Sequence, residues 1–235
     1  MGTDNVVDLT EEQYRAGKDH IARLVRLNSK KLLNENKYSA AHLETLKNDA
    51  HYVCRCDNHD QMQIELDELV SSMNPLQRAT YLHIADSINK ETTDQLLMAI
   101  SGEAGTGKSY VAKAIYLCSK LRFGKTNTQI GPVLVVAPTG TAAYNINGFT
   151  WQSALNKAKN DKGSVLKKIS QETADKLQGK LDGLQVVIID EMSLIGLETL
   201  VDIHRRLQAA QRDKRRAQQL FGGCTVILMG DFYQV

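Results

Sequence analysis

Gly102-Glu103-Ala104-Gly105-Thr106-Gly107-Lys108-Ser109 is the stretch on which the fold turns. It follows the apolar run Leu96–Ile100 and opens a segment whose apolar residues, Val111, Ile115 and Cys118, recur at helical spacing. Strand, glycine-rich loop and helix in that order form a phosphate cradle. The glycines let the backbone curl so that its N–H groups face an anion, and the helix N-terminus adds positive potential. Lys108 is then placed to contact the β- and γ-phosphates of a nucleotide, and the Ser109 hydroxyl to bind Mg²⁺.

Three further apolar runs have the length and β-branching of buried strands: Val133–Ala137, Val186–Ile189 and Thr225–Met229. Segments of helical period lie between them, such as Leu200, Ile203 and Leu207. Alternation of buried strands and helices predicts an α/β domain, a parallel sheet covered on both faces. This unit is assigned to residues 73–235. Residues 1–72 are polar and poor in glycine, with helical spacing at Ile21, Leu24, Val25 and again at Leu43, Leu46, Ala50. They predict a mostly helical N-terminal segment.

The run Val186-Val187-Ile188-Ile189 ends in Asp190-Glu191, two carboxylates at the C-terminal end of a buried strand. Ligands of open α/β sheets bind at that end. Asp190 suits Mg²⁺, a hard cation that prefers carboxylate oxygen, and Glu191 suits orienting and deprotonating an attacking water. Asn74 and Pro75 have the character of a helix cap and first helical residue. Gln77 belongs to that same helix start, and its amide could also read an adenine edge. Val133–Ala137 runs into Pro138-Thr139-Gly140 and a small-residue helix, while the last strand runs into Gly230-Asp231-Phe232-Tyr233-Gln234. Taken singly, these two are equally well read as plain strand-end turns.

Together these segments resemble the superfamily-one helicases, and within them the petite-integration-frequency (Pif) family of DNA helicases. The resemblance covers about residues 72–235 and implies a RecA-like P-loop NTPase fold. It implies that Gln77 reads adenine and that Gly102–Ser109 (Gly102, Glu103, Ala104, Gly105, Thr106, Gly107, Lys108 and Ser109) holds the nucleotide. Lys108, Asp190 and Glu191 then serve catalysis, Ser109 and Asp190 hold Mg²⁺, and Gln234 senses the γ-phosphate. Pro138, Thr139 and Gly140 contact single-stranded DNA, mainly its backbone. RecD-type helicases share Ala137-Pro138-Thr139-Gly140 and the acidic pair; Phe221-Gly222-Gly223 and Gly230-Asp231-Phe232 favour the Pif side. One departure is Thr150-Trp151-Gln152-Ser153, where the family more often has an aliphatic residue followed by His. Trp151 is read either as a base-stacking surface or as core.

By the same resemblance the activity is ATP-dependent DNA unwinding, 5′→3′, in repair, recombination or telomere maintenance. ATP would bind between this domain and a second RecA-like domain that supplies an arginine finger. The sequence ends at Val235, directly after Gln234, so residues 1–235 alone are expected to bind ATP, hydrolyse it slowly and leave duplex DNA intact. The rival readings are a P-loop ATPase acting on protein and a nucleotide-binding module without unwinding activity.

Bulk properties constrain the rest. A net charge of +2 provides no global basic field, so any nucleic-acid contact must be local. Four scattered cysteines make no disulfide framework and fit a reducing compartment, nuclear in a eukaryote and otherwise cytoplasmic. No apolar stretch is long enough for a membrane span. Arg205, Arg206, Arg212, Lys214, Arg215 and Arg216 form a basic run that is either a DNA-attracting surface or a solvated helix face. Lys157, Lys159, Lys162, Lys167 and Lys168 carry the same ambiguity. His51, Cys54, Cys56 and His59 carry metal-binding donors, but Cys-x-Cys is not a usual structural zinc spacing, and a polar helix-to-loop junction is the plainer reading.

Overall fold

A computed structural model describes residues 59–90, 95–124, 126, 128, 130–157 and 169–231. His51, Cys54, Cys56, Lys159, Lys162, Lys167, Lys168 and Gln234 lie outside the described residues. Five strands form one parallel sheet: β1 (Leu97–Ser101), β2 (Val133–Ala137), β3 (Phe149–Thr150), β4 (Val186–Ile189) and β5 (Thr225–Gly230). The four expected strands are present, with β1 shifted by one residue and β5 extended to Gly230. The two-residue β3 is an addition, since so short a strand carries no readable periodicity.

The helices are α1 (His59–Ser72), α2 (Pro75–Asn89), α3 (Lys108–Phe123), α4 (Gly140–Asn145), α5 (Trp151–Ala154), α6 (Gln171–Lys180), α7 (Leu197–Ala209) and α8 (Lys214–Gln218). Strand alternation divides the core into two layers. Val133, Val135, Ala137, Val186, Ile188, Ile227 and Met229 join the side chains of α1, α2 and α3. Leu134, Val136, Val187, Ile189, Val226 and Leu228 join those of α5, α6 and α7. α1 lies before residue 73, yet its Leu66 and Leu69 share the first layer, and Glu65 pairs with Lys113 of α3 at 2.6 Å. The last helix of the N-terminal segment is therefore packed into the nucleotide-binding unit.

The strand order is β1-β5-β4-β2-β3. The chain crosses from β1 to β2 through α3 and returns later to fill the two places between them. The C-terminal ends of β1, β5 and β4 consequently lie side by side, which sets Gly102–Ser109, Gly230-Asp231 and Asp190-Glu191 in a row.

The basic run divides into buried and exposed members. Arg206 is only 5% exposed; its guanidinium pairs with Asp202 at 3.0 Å and donates to the Leu155 and Asn156 carbonyls. Lys157 approaches the other Asp202 oxygen at 2.8 Å. Arg216 donates to Leu184 O and Gly222 O, near the N-terminal ends of β4 and β5. A DNA-attracting role for Arg206 and Arg216 is thereby corrected: Arg206 is a buried brace, and the half-buried Arg216 is tied to carbonyls of the fold. Arg212, Lys214 and Arg215 are exposed, at the opposite end of the sheet from the phosphate loop.

His204 of α7 is a further internal brace. Its Nδ1 accepts from the Phe221 N–H at 2.8 Å, and its ring meets the Phe221 ring edge-on at 5.2 Å. Phe221, Gly222 and Gly223 all have positive φ, a conformation that needs such external support in a residue with a Cβ. Burial, with Arg205 adding to it, lowers the His204 pKa from 6.5 to about 4. Between those values the unfolded chain binds the proton and the folded one does not, so stability rises with pH there and is lost as pH falls. Urea unfolding should show an extra loss of up to about 1.4 kcal/mol per pH unit in that window. His204→Gln, which keeps an acceptor for Phe221, should flatten it. An unchanged slope in His204→Gln would exclude His204 as the source.

Candidate nucleotide site and nucleic-acid edge

The phosphate loop is built as its residues require. Gly105 and Gly107 have φ of 80° and 82°, which side-chain-bearing residues adopt only with strain. At Gly107 a Cβ would also collide with the Gln77 amide. Thr106 closes the turn through Oγ1, which donates to Glu103 O at 2.8 Å. Lys108 begins α3 and bends back, its Nζ donating to Gly102 O at 2.6 Å and Glu103 O at 2.9 Å. Burial lowers the pKa of this ammonium, and the negative charges of Asp190, Asp231 and Glu191 oppose that shift. The cation of β1–α3 and the carboxylates of β4 and β5 thus belong to one electrostatic site.

Gly102 N–H donates to Gly230 O at 3.2 Å, tying the loop to the end of β5. A Cβ on Gly230 would stand 2.9 Å from both Met192 N and Met192 Cγ, so glycine there lets the backbone after Asp190-Glu191 close onto β5. Glu191 itself is left-handed, with φ 51° and ψ 46°. For a residue with a Cβ this conformation costs on the order of 1–3 kcal/mol and clusters at functional sites. It turns the chain sharply as it leaves β4, so that Asp190 and Glu191 do not simply continue the strand. Asp231, only 4% exposed, is a site residue that the sequence reading left unassigned. Its sequence signal was partial: a carboxylate two residues beyond the apolar run Thr225–Met229, which becomes a strand-end residue only because β5 extends to Gly230. Oxygen donors from Ser109 and Asp190 fit a hard cation such as Mg²⁺.

Gln77 is where an adenine-reading residue was expected, beside the loop, and each end of its amide makes one hydrogen bond. Oε1 accepts from Asn74 N at 3.0 Å, while Asn74 Oδ1 accepts from Gln77 N at 2.9 Å, a reciprocal cap on α2. Nε2 donates to Thr106 O at 3.0 Å. The residue therefore links the start of α2 to the phosphate loop.

At the far end of the sheet, Pro138-Thr139-Gly140 leaves β2 at its C-terminal edge. The Thr139 side chain caps α4, accepting from Ala142 N at 3.2 Å, and Thr139, Gly140 and Thr141 are exposed. The Asn147-Gly148 turn then brings the chain back as β3. Trp151 does not belong to this surface. It is 7% exposed and packs in the second core layer with Leu134, Val136, Ala154 and Leu155. The base-stacking alternative for Trp151 is thus corrected to core, because burial leaves no ring face open to a base. Gln152, at the point of departure from the family pattern, buries Oε1 with no hydrogen-bond partner among the described residues.

His59 is the first residue of α1, and among the described residues no group of three or more His, Cys, Asp or Glu is arranged to hold a metal ion. No helix of the described residues is long and apolar enough to cross a membrane.

Comparison with known proteins bears on the same stretch. Residues 72–235 match the PIF1-like helicase family. The chain is 29% identical over 182 residues to the ATP-dependent DNA helicase PIF1 of Saccharomyces cerevisiae, covering 74% of this chain and 20% of that protein. It is 35% identical over 138 residues to the ATP-dependent DNA helicase PIF5 of Trypanosoma brucei brucei, covering 58% and 14%. The crystal structure of Pif1 helicase from Candida albicans superposes with a TM-score of 0.51 at 26% identity, over 69% of this chain and 33% of that one. The chain spans a fifth or less of the length of these two curated relatives. The family match begins at the end of α1 and takes in the phosphate loop, the acidic pair and every strand of the sheet, and the chain belongs to the PIF1-like helicase family.

Proposed function

We propose that this chain is the nucleotide-binding motor domain of an ATP-dependent DNA helicase, coupling ATP binding and hydrolysis to 5′→3′ movement on single-stranded DNA. The observation that carries the reading is the strand order β1-β5-β4, which sets Lys108, Asp231 and the Asp190-Glu191 pair side by side at one sheet edge. Ser109 and Asp190 would hold Mg²⁺, which supplies charge neutralisation on the phosphates when bound. Glu191 would orient and deprotonate the attacking water, and Gln234 would report the γ-phosphate. Gln77, held beside the loop by its bond to Thr106 O, would read adenine through the remaining N–H and lone pair of its amide. A second RecA-like domain would complete the ATP cleft and supply an arginine finger. Work in repair, recombination or telomere maintenance, in the nucleus of a eukaryote or the cytoplasm otherwise, accords with membership of the family.

Pro138, Thr139 and Gly140 would receive the backbone of single-stranded DNA, Thr139 and Gly140 being exposed at the C-terminal end of β2, two places from β5 in the sheet. Anisotropy of a labelled single-stranded oligonucleotide, titrated with this chain at rising salt, tests the reading. Phosphate contacts release counterions, so affinity should fall linearly on a log–log plot against salt. Salt-independent binding, or preference for a protein ligand over single-stranded DNA, would favour a P-loop ATPase acting on protein.

A further inference from the structure

Tyr144 is 81% exposed, the most exposed of the large hydrophobic residues described. It lies on α4, a six-residue helix whose Ala143 faces the core. Tyr144 is four residues after Gly140, so the two share one face of the helix. Helical side chains lean toward the N-terminus and cover the turn before their own Cα, which sets the tyrosine on the side of Gly140. The space beside Gly140 is open, since a Cβ there would meet nothing within 4 Å. A planar aromatic surface and an unobstructed backbone thus adjoin on one ledge.

The helix is held in place from below. Asn147 N–H donates to Tyr144 O at 3.1 Å and Gly148 N–H to Ala143 O at 2.9 Å. A Cβ on Gly148 would stand 2.6 Å from Val135 O, so this turn is packed directly on β2. Residues 138–156 contain no Asp or Glu, so no carboxylate of this segment repels a polyanion.

We infer that Tyr144 stacks on a base of the single-stranded DNA whose backbone passes Thr139 and Gly140; this rests on the DNA reading proposed above. Phe149, also exposed at 45%, is not part of the ledge. Its register partner is Val136, whose side chain enters the second core layer, whereas Ala143 of α4 and Ile146 just after it join the first. Phe149 therefore serves as the control aromatic.

The test compares an oligothymidylate with an abasic strand of equal length and charge, by anisotropy at one low salt concentration. Stacking on one side chain should make the wild-type chain prefer the strand with bases by about five- to hundredfold. Tyr144→Ala should cut that preference by at least about fivefold and leave abasic binding and the salt slope unchanged. Tyr144→Trp should keep it, and Phe149→Ala should resemble the wild type. A 2-aminopurine in the strand should be quenched by the wild type and not by Tyr144→Ala. Undiminished preference in Tyr144→Ala, or an equal loss in Phe149→Ala, overturns the stacking inference alone. Failure of the wild type to bind either strand overturns it together with the DNA reading.

Discussion

Glu191→Gln is expected to bind Mg²⁺–ATP as tightly as the wild type and to hydrolyse it about 10²–10⁴-fold more slowly, the usual scale for losing a positioned general base. Glutamine matches glutamate in shape, so the left-handed turn at φ 51° survives, and the amide can still hold a water by hydrogen bonds. It cannot accept that water's proton. Single-turnover hydrolysis in the presence of single-stranded DNA, with nucleotide affinity measured in parallel, separates the two effects. A parallel fall in affinity would mean that Glu191 acts on the nucleotide itself. An unchanged rate would remove the general-base assignment and turn attention to Asp231, the other carboxylate at this edge.

The sheet was legible because strands buried on both faces leave continuous β-branched runs. Val186–Ile189 is such a run, and each of its four residues is buried. Strand order was not legible, because it depends on which gap each returning chain fills, and nothing local in Thr225–Met229 marks it for the place between β1 and β4. The loop and acidic pair could be read from residue type and neighbours alone, since their chemistry sits at strand ends. Asp231 was quoted without a role: only the sheet order brings it next to Lys108. The basic run misled for a related reason. Charge on a helix has no sequence mark for inside or outside, and Arg206 is internal only because Asp202, one turn earlier, and the carbonyls of Leu155 and Asn156 meet it there. Trp151 resolved toward core by the same tertiary context.

Lys108→Ala is expected to weaken Mg²⁺–ATP binding by about 2–4 kcal/mol, roughly 30- to 1,000-fold, because charge-assisted contacts to phosphate are lost from a partly buried site. Two effects add. The mutation removes the ammonium of Lys108, and it leaves Asp190, Asp231 and Glu191, which now offset its burial, facing a polyphosphate without it. The loop itself should persist. Lys108 Nζ braces it through Gly102 O and Glu103 O, but Gly102 N–H to Gly230 O, Thr106 to Glu103 O and Gln77 to Thr106 O hold it independently. The loss should therefore appear in nucleotide affinity, with little change in thermal stability without nucleotide. Raising Mg²⁺ should recover part of it, since a bound cation screens the same carboxylates. Titration with a fluorescent ATP analogue at two Mg²⁺ concentrations, alongside thermal unfolding, measures all three quantities. Equal affinity in wild type and variant would place the phosphates elsewhere and defeat the assignment of this loop.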